Sequence, residues 1–150
     1  MIEYRLEKLA DIFDELQPLI KLQFEELERP LTPDHDLDPD WERYYYIEKL
    51  NLLKVITCRE KGKLIGYAFF TVGGHLHSRH CLTAYEDVYF LKKEYRKGRI
   101  GIQLFKYAEE YMKSIGVNRI FYTTKVHSDN SRLFEYLGYT LIEKVYSKLI

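Results

Sequence analysis

The chain has 150 residues, 46% of them hydrophobic, and 23 Lys and Arg balanced by 23 Asp and Glu. That length can bury a core of its own, and one domain over residues 1–150 is expected, while the balanced charge offers no global field to recruit nucleic acid or a membrane surface. No apolar run approaches a membrane span, the first residues lack the apolar stretch of a secretion leader, and Cys58 and Cys81 offer no disulfide framework, so a reduced, cytoplasmic setting is the expectation.

Residues 2–6 alternate apolar and polar and read as a first strand. Leu9, Ile12, Phe13, Leu16, Ile20, Phe24 and Leu27 then form one stripe, which predicts a helix over 9–28, kinked or split at Pro18. Residues 29–40 break the pattern with three prolines and four aspartates. Asp38 as N-cap with Pro39 in the first helical position opens a second helix to about residue 50. Two strands are expected at 52–59 and 63–72, joined by a hairpin turn at Glu60-Lys61-Gly62. Gly73-Gly74 ends the second, residues 75–80 read as a polar connection, and 82–91 as the next strand.

Between that strand and the following helix lies KKEYRKGRIG. The helix is marked by Leu104, Phe105, Ala108, Tyr111, Met112 and Ile115, which share one face. The connection carries Gly98 and Gly101 together with Lys93, Arg96, Lys97 and Arg99. A basic, glycine-bearing loop that feeds a helix N-terminus binds anions, because the first-turn N–H groups lack partners and the helix dipole is positive there. It is neither a Walker loop, which needs Gly-Lys-Ser/Thr, nor a full G-x-G-x-x-G fingerprint. Gly116 should close this helix. A strand over 119–126 follows, then a short helix capped by Ser128 or Asp129 and ended at Gly138, then an extended segment over 139–150. The order is β-α-α-β-β-β-α-β-α-β, with the strands flanking the central helix parallel.

This order and two motifs resemble the GNAT superfamily of N-acetyltransferases, in the short form that bacteria and phages carry. The family's loop pattern is Arg/Gln-x-x-Gly-x-Gly/Ala, and Arg96, Ile100, Gly101, Leu104 and Phe105 match it, with Glu94-Tyr95 ahead of them. Arg99 departs from it, its glycine standing one residue early at Gly98. A second element, Val-x-x-x-Asn before a short helix ending in Gly-aromatic, is similar to Val126, Asn130, Gly138 and Tyr139. The resemblance implies an α/β fold: a mixed sheet of six to seven strands, about four flanking helices, and a parallel strand pair that forms the acetyl-CoA cleft. It implies that Phe90, Leu91 and Lys92 hold the pantetheine arm through main-chain groups. Arg96, Lys97, Gly98, Arg99, Ile100 and Gly101 would ring the pyrophosphate, with Asn130 also at the cofactor. The implied reaction is direct acetyl transfer to an amine, either a small cationic amine or a protein lysine or N-terminus. The alternative is a catalytically idle acyl-CoA-binding or interaction module.

Such transfer needs a base for the ammonium and an acid for the departing thiolate. Glu86 and Asp87 stand where the family often places a carboxylate; strand alternation points them to opposite faces, and Asp87 is preferred. His75 and His77, with His80, precede the same strand and are candidates for the acceptor side; as neutral imidazoles they and His127 offer a second source of the base. Their spacing lacks paired Cys/His blocks, so no metal is expected. The family's usual tyrosine acid falls at Phe134, which leaves Tyr136 and His127 as acid candidates. Asp36, within the acidic segment 34–40, would favour a cationic acceptor. Only twelve residues follow Gly138, so an open sheet edge near Tyr146 and Leu149 points to a homodimer.

Overall fold

Period-two alternation builds β1 (Ile2–Glu7), which pairs antiparallel with β2 (Leu53–Glu60). β3 (Lys63–His75) and β4 (Ser78–Leu91) continue the antiparallel meander, and β5 (Arg119–Phe121) joins β4 in parallel. The sheet order is therefore β1-β2-β3-β4-β5 in this computed structural model, which describes residues 1–150. Lys61 and Gly62 both take positive φ, 48° and 79°, which is the geometry of a two-residue hairpin turn between β2 and β3.

α1 (Leu9–Gln23) and α2 (Trp41–Lys49) cover one face of the sheet, where Leu9, Ile12, Leu16, Val55, Tyr67, Phe69 and Phe90 are buried together. α3 (Ile100–Ser114) covers the other, packing Leu104, Ala108 and Met112 on Ile56, Ala68 and Phe70. β2 and β3 are thus buried on both faces, which is why they read as continuous apolar runs rather than alternating ones. α4 (Ser131–Tyr136) adds Phe134 beside Phe105 of α3.

Several expectations are corrected. The sheet has five strands, not six or seven, because residues 140–150 make no backbone hydrogen bond and join no ladder. The strand expected over 119–126 pairs only through Phe121, after which a tight turn bridges Lys125 and Ser128. Pro18 does not split α1: it and Asp14, whose carbonyl it leaves unpaired, both lie on the exposed flank, where water serves instead. The last turn of that stretch, Phe24–Glu28, widens to a π turn. α2 starts later than expected, because Asp40 rather than Asp38 caps it, its carboxylate accepting from Arg43 N at 3.0 Å. Gly73-Gly74 does not end β3; both pair with β4, since a ladder needs backbone and not side chains, and the polar connection shrinks to a turn at Leu76 and His77.

Candidate active site

β4 and β5 stay together for three residue pairs, Thr83 to Tyr85 against Arg119 to Phe121, and then separate. From Glu86 onward the outer edge of β4 has no strand partner, and side chains span the gap. Glu86 accepts from Thr123 N at 3.0 Å and from Thr123 Oγ1 at 2.7 Å. The Tyr89 hydroxyl donates to Thr123 O at 2.9 Å and accepts from Asn130 Nδ2 at 3.2 Å. Asn130 is itself fixed by donating its N–H to Thr124 Oγ1 at 2.7 Å.

The register of β4 slips at the same place. Phe69 faces Val88 and Phe70 faces Glu86, which leaves Asp87 as the extra residue of a β-bulge. Asp87 accepts a hydrogen bond from the Tyr44 hydroxyl of α2, while Glu86 turns to Thr123, just past β5. The two carboxylates therefore take partners in different directions, yet both border one cavity with Gln23, Leu27, Glu28 and Tyr89. That cavity, about 40 Å³, holds a water or two but not a substrate.

Burial pushes the Glu86 carboxyl above its ordinary range; the Thr123 donors and Lys125 oppose the shift, and the charge of Asp87 adds to it. Burial also raises the Tyr89 phenol, with the hydrogen bonds from Asn130 and Thr124 pulling the other way. Tyr44 is held up by burial and by the Asp87 charge.

The anion loop lies at the far end of β4. Gly98 has φ +92°, a backbone that other residues rarely adopt. Gln103 is the first residue of α3 whose N–H finds a carbonyl, that of Arg99 at 2.9 Å; the N–H groups of residues 98–102 bond to nothing in the protein. A Cβ placed on Gly101 would meet only Leu91 Cδ2, at 3.8 Å, so the space in front of the helix is open. Lys97 and Arg99 flank it, both exposed. These free donors, the open approach and the cations fit a pyrophosphate. Arg96 is turned to protein partners: its Nε donates to Leu91 O at 2.7 Å, its guanidinium is paired with Glu26, and it lies 5.2 Å over the Phe90 ring. Lys92 gives its N–H to Ile65 O at 2.9 Å, so that donor serves the sheet.

The remaining candidates are scattered. His127 borders the π turn, with Nε2 3.2 Å from Glu26 O, and does not line the cavity. Tyr136 is 67% exposed and does not line it either. His75 stacks on Phe121 and meets His77 edge-on at the β3–β4 turn. That turn is five residues along β3 from the partner of Glu86, roughly 16 Å away. No group of three or more metal-ligating side chains is assembled there or elsewhere. Asp36 is almost fully exposed, 3.6 Å from Arg29. Tyr89, Tyr44 and Thr123 were not singled out from sequence. Phe134 is buried among Tyr89, Phe105, Tyr122 and Tyr139.

The family model described as the acetyltransferase (GNAT) family matches residues 16–139. No curated protein matches the sequence. Among solved structures, the chain is similar to a ribosomal-protein-alanine N-acetyltransferase from Brucella melitensis biovar Abortus 2308, at 14% identity and TM-score 0.74 over 100% of this chain and 99% of that one. It is similar to an aminoglycoside acetyltransferase from an uncultured soil metagenomic sample, crystallised with sisomicin, at 17% identity and TM-score 0.74 over 99% and 97%. A predicted acetyltransferase from Clostridium acetobutylicum, solved with acetyl-CoA, aligns at 15% identity and TM-score 0.72 over 99% and 96%. At such identities the likeness is one of fold.

Proposed function

The chain belongs to the GNAT family of acetyltransferases, whose acetyl donor is acetyl-CoA, and on that premise we propose that residues 1–150 act as one cytoplasmic domain that transfers an acetyl group directly to a cationic amine. The observation that carries this reading is the half-buried Glu86 carboxylate, raised in pKa, at the start of the same open strand edge that leads to the free N–H groups of α3. A base and an anion cradle at two points of one strand are what a thioester-to-amine transfer requires.

Bound acetyl-CoA supplies an electrophilic thioester carbon and a thiolate leaving group. The free N–H groups of residues 98–102 would hold the pyrophosphate, with Lys97 and Arg99 adding charge, and the backbone at Phe90 and Leu91 would serve the pantetheine arm. Glu86 takes the proton from the acceptor ammonium, through water, since the cavity beside it has room for water alone. The freed nitrogen lone pair forms the C–N bond as the C–S bond breaks. Among groups bordering the cavity, Tyr89 carries a phenolic O–H that can serve as the acid. Tyr89 would protonate the thiolate by turning its O–H from Thr123 O to the sulfur, its hydroxyl standing in the gap between β4 and β5 and steadied by Asn130. Asp87 and Glu28 supply negative charge at the acceptor side, and Asp36 extends it outward, which favours an amine that arrives as a cation.

The competing reading, an idle acyl-CoA-binding module, draws on the apolar burial of Phe134, the position at which the family commonly holds its acid. A thiol-release assay with spermidine, an aminoglycoside and a lysine peptide separates the two. Amine-dependent release supports transfer. Binding of CoA by calorimetry with no release for any amine favours the module.

A further inference from the structure

The chain after Tyr139 is a segment that its own fold does not use. Tyr139 is pinned: its N–H donates to Phe134 O at 2.9 Å, its hydroxyl donates to Glu109 at 3.1 Å, and its ring packs edge-on to Tyr122 at 5.2 Å. Beyond it no backbone hydrogen bond is made, and every residue from 140 to 150 is exposed. Leu141, Ile142, Val145, Tyr146, Leu149 and Ile150 stand in that run with exposures of 64 to 106%. Apolar residues scattered singly over a surface are ordinary, but six in eleven positions of one free segment are not.

The sheet has a matching defect. β5 is its last strand, paired on one side only, so the other side presents unpaired backbone groups. In extended form the segment would place Leu141, Val145 and Leu149 on one face and Ile142, Tyr146 and Ile150 on the other. Apolar residues at both parities suit a strand covered on both sides. On the α3 side of β5 such cover is prepared: a groove of about 240 Å³ bordered by Met112, Val117, Ile120, Leu137 and Tyr139.

We propose that the chain forms a twofold dimer by exchange, residues 140–150 of each copy adding as a strand to the open β5 edge of the other. The second copy is the occupant because the segment leaves Tyr139 without returning to its own β5, so one copy alone keeps both an unsatisfied edge and an unsatisfied strand. A reciprocal exchange pairs both at once, and twofold symmetry makes the two contacts identical. At about 3.3 Å per residue the segment reaches about 36 Å, enough to pass the whole edge of β5 and to stay tethered to its own body. This assembly does not depend on the acetyl-transfer reading.

The experiment is sedimentation of the full chain at micromolar concentration, with amide hydrogen exchange on the same samples. Exchange requires a dimer in which the amides of residues 141–149 are protected. Val145→Pro removes a ladder donor and should convert the dimer to monomer and abolish that protection, while the far-UV CD spectrum and CoA binding persist. A monomeric wild-type chain overturns the proposal, whether its tail amides are open or are protected by docking on its own sheet. A dimer with unprotected tail amides overturns it too, as does a Val145→Pro chain that stays dimeric.

Discussion

The guanidinium of Arg96, on the loop that enters α3, is paired with the carboxylate of Glu26 on the π turn that follows α1. The same Glu26 meets His127 through its carbonyl, so one residue ties the N-terminal helix to the donor loop on one side and to the segment after β5 on the other. Arg96 is also spent on Leu91 O and on the Phe90 face, which makes it a strut for the loop. With each partner about one-third exposed, Glu26→Gln should cost no more than about 1 kcal/mol, a few degrees in Tm. CoA affinity by calorimetry should stay within about twofold, because the phosphate donors are backbone groups. A clear gain in affinity would show that Arg96, once released, turns to the phosphate.

Gly101 separates fold from ligand. Its missing side chain would meet only Leu91 Cδ2 at ordinary contact distance, so Gly101→Glu should fold and melt much as the wild type does. The carboxylate would then stand before the free N–H groups of α3, and the CoA dissociation constant should rise by at least about tenfold. An unchanged affinity in a folded variant would remove the pyrophosphate from this loop.

Glu86 predicts the shape of the pH profile. A base works deprotonated, so kcat/KM should fall as pH falls through its pKa, and burial places that acidic limb above the value of about 4.3 of a free glutamate. Asp87 contributes to the rise through its charge, so Asp87→Asn should move the limb downward by less than the whole shift. Glu86→Gln should lower kcat by about a hundredfold or more with CoA still bound. A limb unmoved in Asp87→Asn and intact in Glu86→Gln would assign it to another group.

Tyr89→Phe should lower kcat by about a hundredfold while the KM for acetyl-CoA changes by about twofold or less. Tyr136→Phe and His127→Ala should leave kcat within about twofold, as neither side chain borders the cavity. Loss of turnover in either of those two, with Tyr89→Phe active, would move the acid to the α4 side.

Arg59 is a buried cation, 6% exposed, that donates to Glu7 at 2.8 Å, to Glu15 at 2.9 Å and to Gly62 O at 2.7 Å. Glu15 is held below its ordinary range by Arg59. Burial alone would raise Glu7, but the hydrogen bonds from Arg59 and Thr57 outweigh it and hold it down as well. Their contribution to stability is therefore complete above the unfolded value of about 4.3 and is lost as pH falls through the lowered folded values. Arg59→Met should destabilise the fold at neutral pH by about 3 kcal/mol, since it leaves Glu7 partly buried without its partner. Urea titrations at pH 7 and pH 3 check both points: the variant should lose less on acidification than the wild type does.

Sequence periodicity made α1 and α3 legible, because their buried stripes repeat on a helical period over four turns. The glycines that close α3 and α4, Gly116 and Gly138, were legible because positive φ, 86° and 90°, selects that residue. The bulge at Asp87 was not. Alternation says which way a side chain points only while the register holds, and nothing local marks the slip between Phe69 and Phe70. The position of the histidines was hidden for a related reason: His75 and His77 adjoin β4 in sequence, but the hairpin carries them to the end of the strand away from the anion loop. The role of Arg96 was hidden because Glu26 lies 70 residues away and no local pattern links them. Tyr89 entered the site only through the separation of β4 from β5, which depends on where their pairing stops.

The buried members of the cluster beneath α1 all fall between Leu9 and Phe90. A chain leaving the ribosome at about 5–20 residues per second completes that layer seconds before the last of its sequence is made. β1 to β4 are neighbours in chain order and antiparallel, so their ladders form without waiting for distant partners. During that interval β4 shows water both an uncovered apolar face, holding Ala84 and Leu91, and a bare edge. Synthesis of α3 covers the face and β5 then covers the edge at Thr83 to Tyr85, so the time before α3 is made is when a nascent chain is most open to capture by another of its kind.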